Sequence, residues 1–481
     1  MKRILIGILV FCMILPLAAC KKEKTPDESK ETESAGSSES LFRTKYADYL
    51  KNLPERDYED TKFRVLTSLQ TRKFYLGDET NEAISEAVVK RDNEMNSRYG
   101  VIMDYTVKDG NSSGQTEYVT TIRNSISDQF GFDLIIGQTY YCMSLASEGY
   151  FLDLNQAKYL NTEQEWYHPN INSNAVICGK LFGISGDYLT SQISSAMGLL
   201  FNKDLYATNQ NQEDLYELVR TKQWTLEKMK VLIKDSYQDT NNDLSRDASD
   251  AYGFFGNGHS INGLIYGFDC PVAEYKEDGT VTIDNYYNDH LIKVFEALNS
   301  FFNENENVFR GGDYDNLSSM ENGHALFIST WIDNLISERM RNAACKIGVL
   351  PNPLFDTDQK NYCSYVQRWD LMYIPKNADF EKSSIILEYL NFTSTEFMIP
   401  RYWEQALSLR GADDAVDGEM LSIIRSTLFY DFVMVFNTEL GGLKDGVAYL
   451  IGSKSNTLSS WWEINGKKYA DSLTILQMFY E

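Results

Sequence analysis

Histidine and cysteine are scarce in this chain, and the shortage removes most of the chemistry of a metalloenzyme or redox protein. Only His168, His259, His290 and His324 occur among 481 residues, none in a His-Glu-x-x-His pattern or a paired metal spacing. Cysteine numbers seven, with Cys12 and Cys20 close to the N-terminus. No two of Cys142, Cys178, Cys270, Cys345 and Cys363 fall within four residues of each other, so zinc-ribbon and dithiol redox spacings are missing. Five is odd, so at least one stays free unless two chains pair. A Cys345–Cys363 bridge is one open pairing, and the rest suit small buried hydrophobes. There is no Gly-x-Ser-x-Gly elbow, phosphate loop or dinucleotide fingerprint. Among 69 acidic residues a carboxylate pair for glycoside hydrolysis is easily found by chance. The chain is expected not to be an enzyme, and no catalytic residue is assigned.

Basic charge is also short: 45 Lys and Arg stand against 69 Asp and Glu, a formal net charge of −24. Counterion release from nucleic acid needs a basic surface, so that partner class is excluded. Beyond the N-terminus no apolar run approaches the length of a bilayer span. The start is different. Lys2 and Arg3 precede an uncharged apolar run from Ile4 to Leu15, closed by Leu17-Ala18-Ala19-Cys20. These three parts read as a secretory signal peptide over 1–19, too short to cross a membrane. The cysteine at the cleavage point resembles the lipobox of bacterial lipoproteins. That resemblance implies that Cys20 gains a thioether-linked diacylglycerol and anchors the chain on the extracytoplasmic face of the cell membrane. Lys21–Ser40 holds four Lys, six acidic residues and five Ser with no aromatic or branched aliphatic side chain. Such a stretch cannot offset its ordering entropy. A disordered tether is expected over 20–57, its first 20 residues reaching roughly 25 Å.

The body that follows has an α/β rhythm. Phe63-Arg64-Val65-Leu66 is a strand candidate, Ile84, Val88, Met95 and Tyr99 recur on one helix face, and Val101, Met103, Tyr105 and Val107 alternate. A second helix carries Tyr118, Ile122 and Ile126, before the apolar Asp133-Leu134-Ile135-Ile136-Gly137. Strands separated by amphipathic helices imply a parallel sheet covered on both faces. Ligands then sit beyond the carboxyl ends of the strands, which places Gln138, Thr139, Tyr140 and Tyr141 on a binding rim.

Eight further segments occur in a fixed order. They include Phe151-Leu152-Asp153-Leu154, Gly179-Lys180-Leu181-Phe182-Gly183-Ile184 and Leu199-Leu200-Phe201-Asn202-Lys203-Asp204-Leu205. Trp224-Thr225 opens a helix and Tyr252-Gly253-Phe254 follows. Gly323-His324-Ala325-Leu326 leads to Trp331, and Ile347-Gly348-Val349-Leu350-Pro351 and Ile374-Pro375-Lys376 close the series. In this order the chain, over residues 60 to 481, resembles the extracellular solute-binding proteins of ABC importers, in the sugar-type branch that includes maltose-binding protein. The resemblance implies a two-lobed periplasmic-binding-protein-like α/β fold, each lobe a mostly parallel sheet flanked by helices, joined by crossing hinge strands. Carried over by position, 58–187 plus 369–412 form the first lobe and 188–368 plus 413–481 the second. It also implies a monomer that captures a solute, by default an oligosaccharide, and passes it to the permease subunits of an ABC importer. A non-sugar solute, or a surface lipoprotein glycoside hydrolase, are the alternatives.

A sugar pocket needs aromatic platforms beside carboxylates and amides, and 31 Tyr and 7 Trp are available. The resemblance implies that Trp331 faces the cleft. It places Trp369 with Arg368 where a crossing strand leaves the second lobe, and Asp187 and Tyr188 at the first crossing. Tyr140 joins them from the rim. Trp461-Trp462 reads equally as a core or interdomain plug. No cofactor is expected; a structural calcium and a solvated turn rich in caps are the two open readings of one acidic loop. Asp239, Asn241, Asp243, Ser245, Asp247 and Asp250 stand at positions 1, 3, 5, 7, 9 and 12 of a calcium-loop spacing. Leu244 replaces the glycine that the turn at position 6 wants, and position 12 is Asp rather than Glu.

Overall fold

A computed structural model describes residues 41–79, 81–127, 131–209, 213–408 and 414–481. The signal segment, Cys20 and the Lys21–Ser40 stretch lie outside the described residues. From residue 41 the chain is helical, including Ala47–Asn52, so the tether expected to run to 57 is already ordered there. Apolar residues return at helical spacing in Phe42, Tyr46 and Leu50, and the Phe42 and Tyr46 rings meet at 5.1 Å. This short segment forms a unit of its own; residues 52–481 form the other.

The larger unit is built on two sheets. The first contains β1 (Thr61–Ser68), β2 (Val101–Lys108) and β3 (Leu134–Gln138). The second contains β4 (Met197–Asn202), β5 (Tyr252–Gly256), β6 (Val308–Arg310), β7 (Ala325–Trp331) and β8 (Ile347–Leu350). A last strand, β9 (Asp370–Tyr373), returns to the first sheet. The spatial orders are β9-β3-β1-β2 and β6-β5-β7-β4-β8. The chain between β1 and β2 coils because Asn81 caps the helix Glu82–Tyr99 by accepting from Ile84 N at 3.2 Å. Gly100, at φ +57°, ends that helix and turns the chain into β2, a conformation open to glycine without strain.

Two strands run against the rest. β9 pairs antiparallel with β3, and β4 lies antiparallel between β7 and β8. The second sheet is therefore mixed, with two parallel and two antiparallel pairings, where a mostly parallel one was expected. The reason is entry point. β4 starts at Met197, opposite Trp331 at the carboxyl end of β7, and β9 starts at Asp370, opposite Gln138 at the carboxyl end of β3. Both strands follow a passage between the lobes, and a chain arriving at the carboxyl edge of a sheet can only run away from it.

Three passages lie side by side. Ala196 bridges Val366, Gln367 N donates to Ser195 O at 3.2 Å, and Val366 N reaches Phe429 O at 3.4 Å. Ser364–Tyr365 pairs in parallel with Leu428–Phe429. The helices Phe380–Thr393 and Ile399–Ser408 pack on Glu82–Tyr99 of the first lobe, and Asp414–Ser426 packs on β8 of the second. The tail serves both lobes. Thr139 Oγ1 donates to Met434 O and Ser144 Oγ to Glu439, while the helix Gly446–Gly452 rests on Gly258–Gly267 and Asp289–Asn303. Trp461 and Trp462 pack within this tail, against Gly446 and beside Tyr286 and Tyr287. No helix among the described residues is long and apolar enough to cross a membrane. The five cysteines beyond residue 40 are free, Cys345 and Cys363 included.

Asp431 closes the third passage and is buried, its carboxylate accepting from Val433 N at 2.9 Å and Val272 N at 2.7 Å. Burial outweighs those donors and pushes the carboxyl up to about 6. A folded value above the unfolded one, about 3.9, adds stability that is full below pH 4 and lost as pH rises through 6. Relative to Asp431→Asn, the parent should gain about 2–3 kcal/mol on going from pH 7 to pH 4. Urea denaturation of both proteins across that range measures the gap.

Candidate functional site

At the carboxyl ends of the strands lies a cavity of about 440 Å³. Gln70, Thr71, Lys73 and Phe74 follow β1, Asn111 follows β2, and Gln138 ends β3; these six come from the first lobe. Trp331 and Asp333, at the end of β7, come from the second. Ser194, Ser195, Gln367 and Arg368 come from the passages between them. A second cavity of about 610 Å³ shares Gln367 and extends over His259, Asn262, Arg310, Trp369, Lys444 and Tyr449, among others. Both volumes fall in the range of small-molecule sites.

Gln367 divides the two. Its Oε1 accepts from Trp331 Nε1 at 2.5 Å, and its Nε2 donates to His259 Nδ1 at 2.7 Å. The ring nitrogen that accepts carries no proton, and burial lowers the His259 pKa, which keeps the imidazole neutral at pH 7. Trp331 is half-buried, with His259 5.9 Å away ring to ring. Arg368 donates from Nε to Asp370 at 2.8 Å and from Nη2 to Ser68 Oγ at 3.1 Å. Lys73 of the first lobe meets Asp333 of the second at 2.9 Å. Trp369 lies under the Lys444 ammonium, 4.3 Å from its ring centre, and burial pushes that lysine below its ordinary pKa while Asp445 pulls it back. The arrangement offers aromatic faces, amides and fixed charges, but no activated nucleophile.

Of the six residues expected to touch ligand, Trp331 and Arg368 line the first cavity and Trp369 the second. Tyr140 lines neither; half-buried, it turns its hydroxyl towards Gly110 O at 3.4 Å. Asp187 and Tyr188 are corrections. Both are fully buried. Asp187 pairs with Arg425, accepts from Thr395 Oγ1 at 2.6 Å and sits 3.1 Å from His168 Nε2. Burial raises its carboxyl, but Arg425 and His168 outweigh that and hold it below the usual range. Removing one partner of such a buried pair typically costs about 3–5 kcal/mol, so Asp187 is a structural brace beneath the passage. Tyr188 is packed between the Arg91 guanidinium and Tyr75, its hydroxyl 3.2 Å from that of Tyr105. Thr139 and Tyr141 of the expected rim are buried too, leaving Gln138 in the cavity.

Lys73, Phe74, Asn111, Asp333 and Gln367 were not anticipated. The rule that ligands sit beyond the carboxyl ends of strands, applied to β1 and β2 as well as β3, points to the first three.

The side chains of the acidic loop cap its own backbone. Asp239 accepts from Asn242 N and Leu244 N, Asn241 from Asp243 N, Asp243 from Ser245 N, and Asp247 from Ser249 N. Asp250 accepts from Thr240 N and Tyr237 Oη, and is buried. These bonds cap successive backbone turns, with Asn242 and Leu244 at φ near +60°. No cluster of three His, Cys, Asp or Glu able to hold a metal occurs among the described residues.

No protein-family description and no curated protein matches this sequence. Solved structures match it in fold. The maltose-binding protein of Listeria monocytogenes in complex with maltose superposes with a TM-score of 0.55 at 14% identity, covering 86% of this chain and 98% of that one. A cyclic α-maltosyl-1,6-maltose-binding protein from Arthrobacter globiformis gives 0.55 at 10% identity, covering 87% and 99%. UgpB of Mycobacterium tuberculosis, bound to glycerophosphocholine, gives 0.50 at 11%, covering 88% and 98%. The chain has the two-lobed α/β fold of the solute-binding proteins of ABC transporters.

Proposed function

We propose that this chain is a lipid-anchored extracytoplasmic receptor that captures a carbohydrate between its lobes and delivers it to an ABC import permease. The observation that carries the reading is the first cavity, where Trp331 and Phe74 stand among Gln70, Asn111, Gln138 and Gln367 at the carboxyl edges of both sheets. Sugars present apolar C–H faces and hydroxyls that both donate and accept, and such a mixed wall answers both. Neighbours in fold bind maltose and cyclic maltosyl-maltose. A non-sugar solute is the second reading, favoured by the glycerophosphocholine-bound neighbour.

Ligand capture then works by hinge closure about the three passages. At the first cavity two direct bonds between the lobes end on one carboxylate: Asp333 takes Lys73 Nζ at 2.9 Å, with side chains 40% and 29% exposed, and Tyr402 Oη at 3.4 Å. A pair that open contributes about 0–1 kcal/mol, too little to lock the lobes. A solute touching both walls supplies the differential contact that shifts the population towards the closed state.

Trp331→Ala should weaken saccharide affinity by roughly ten- to a hundredfold, the loss of one large apolar contact of about 1–3 kcal/mol. Its half-exposed ring should leave the melting point of ligand-free protein nearly unchanged. Titration calorimetry and thermal melts of the same variant separate the outcomes: normal affinity with a collapsed melting point would make Trp331 a core residue. The anchor has its own test. Cys20→Ala should release the protein from the membrane fraction, because no lipid can be attached, and equal membrane association of parent and variant would remove the anchoring role.

A further inference from the structure

Basic residues outnumber acidic ones among the cavity-lining side chains of an anionic chain. In the first cavity Lys73 and Arg368 stand with Asp333 alone, and in the second Arg310 and Lys444 stand with Asp445 alone. The whole sequence has the opposite balance, 45 basic against 69 acidic residues. Three of the four cations are occupied: Lys73 by Asp333, Arg368 by Asp370 and Lys444 by Asp445. Arg310 is not. Among the described residues it makes no ion pair, and one hydrogen bond, Nη1 to Ile451 O at 3.3 Å, holds its guanidinium. It is half-buried at the carboxyl end of β6, where the strand meets the second cavity.

One neighbour in the same cavity is also incomplete. Asn262 is 7% exposed, and its Nδ2 donates to Asp445 Oδ1 at 3.1 Å, yet its Oδ1 accepts nothing. A buried acceptor left alone is destabilising, a deficit that a bound hydroxyl would remove. Trp369 supplies an aromatic wall. A guanidinium fork, a hydroxyl acceptor and an aromatic face in one cavity are the complement of a sugar that carries an oxyanion.

Resting on the carbohydrate reading above, we propose that the solute is an acidic saccharide, bearing a uronate carboxylate or a phosphate ester, and that Arg310 receives the anionic group. Arginine presents paired donors matched to the two oxygens of either group. The net charge of the chain opposes an anionic ligand at long range. At physiological ionic strength, however, exposed charges more than about 8 Å away are largely screened, so the local charge of Arg310 decides, the other three cations each having a carboxylate partner. A neutral sugar would leave the Arg310 charge half-buried and unanswered.

The test is calorimetric titration with matched pairs: digalacturonate against neutral galactobiose, a glucuronate-containing disaccharide against its neutral parent, and a phosphorylated disaccharide against the same parent. At least one acidic member should bind roughly tenfold or more tightly than its neutral parent, and the advantage should shrink as salt rises. The pair that shows it distinguishes carboxylate from phosphate. Arg310→Gln should erase the advantage and Arg310→Lys should keep part of it, with both variants melting at the parental temperature because Arg310 makes a single internal bond. Neutral members binding as well as acidic ones, or an acidic preference that survives Arg310→Gln, overturns the proposal and leaves the carbohydrate receptor standing. Binding of no saccharide, neutral or acidic, overturns both.

Discussion

Everything functional in this chain depends on one constraint of connectivity: the backbone passes between the two sheets at their carboxyl edges. A strand that begins there must run away from the cleft, and β4 and β9 do so, each antiparallel to its neighbours. The remaining strands end at the same edge. The loops that follow β1, β2, β3, β5, β6 and β7 are thereby gathered around the passages, and the cavities form where they meet. Function at this edge follows from topology before any particular side chain is considered.

The passages themselves are made stiff from below and left polar above. Asp187, His168, Arg425 and Thr395 tie the first passage to helices of both lobes through a fully buried carboxylate. Gln192 donates to Asp370 O at 2.5 Å and to Tyr430 Oη at 3.2 Å, joining all three passages through one amide. On the cleft side the same segments expose Ser194, Ser195, Gln367 and Arg368. One ribbon of chain thus serves as brace and as cavity floor, and its residues divide between the two by the face they occupy. Residues adjacent in sequence part company: Arg368 lines one cavity and Trp369 the other.

This division explains what could be read in the sequence. The strands and helices of the first lobe showed through because apolar period changes mark them directly, from Phe63 and Val65 in β1 to Ile84, Val88 and Met95 in the following helix. The reversal of β4 and β9 left no such mark, since a buried strand reads the same in either direction. Trp331, Arg368 and Trp369 were placed by position within an ordered set of segments. Asp187 and Tyr188 failed by the same reasoning, because position identifies the passage and not which of its faces meets the cleft. The acidic loop is ambiguous in sequence for a different reason. Alternating Asp and Asn is the signature of a cation loop and equally of consecutive side-chain-capped turns, and the hydrogen bonds of Asp239, Asp243 and Asp247 show the capped turns. Arg310 carried no sequence signal; it stands out by the lack of a carboxylate partner among the described residues, which only the folded arrangement shows.

The central claim is that a solute bridges the two lobes across Gln367, between Trp331 and Trp369, and draws them together. Small-angle X-ray scattering of the folded body with and without a saccharide that binds by calorimetry tests it most directly. A decrease in radius of gyration at saturating ligand is the predicted result. Binding that leaves the scattering curve unchanged would contradict closure on the ligand.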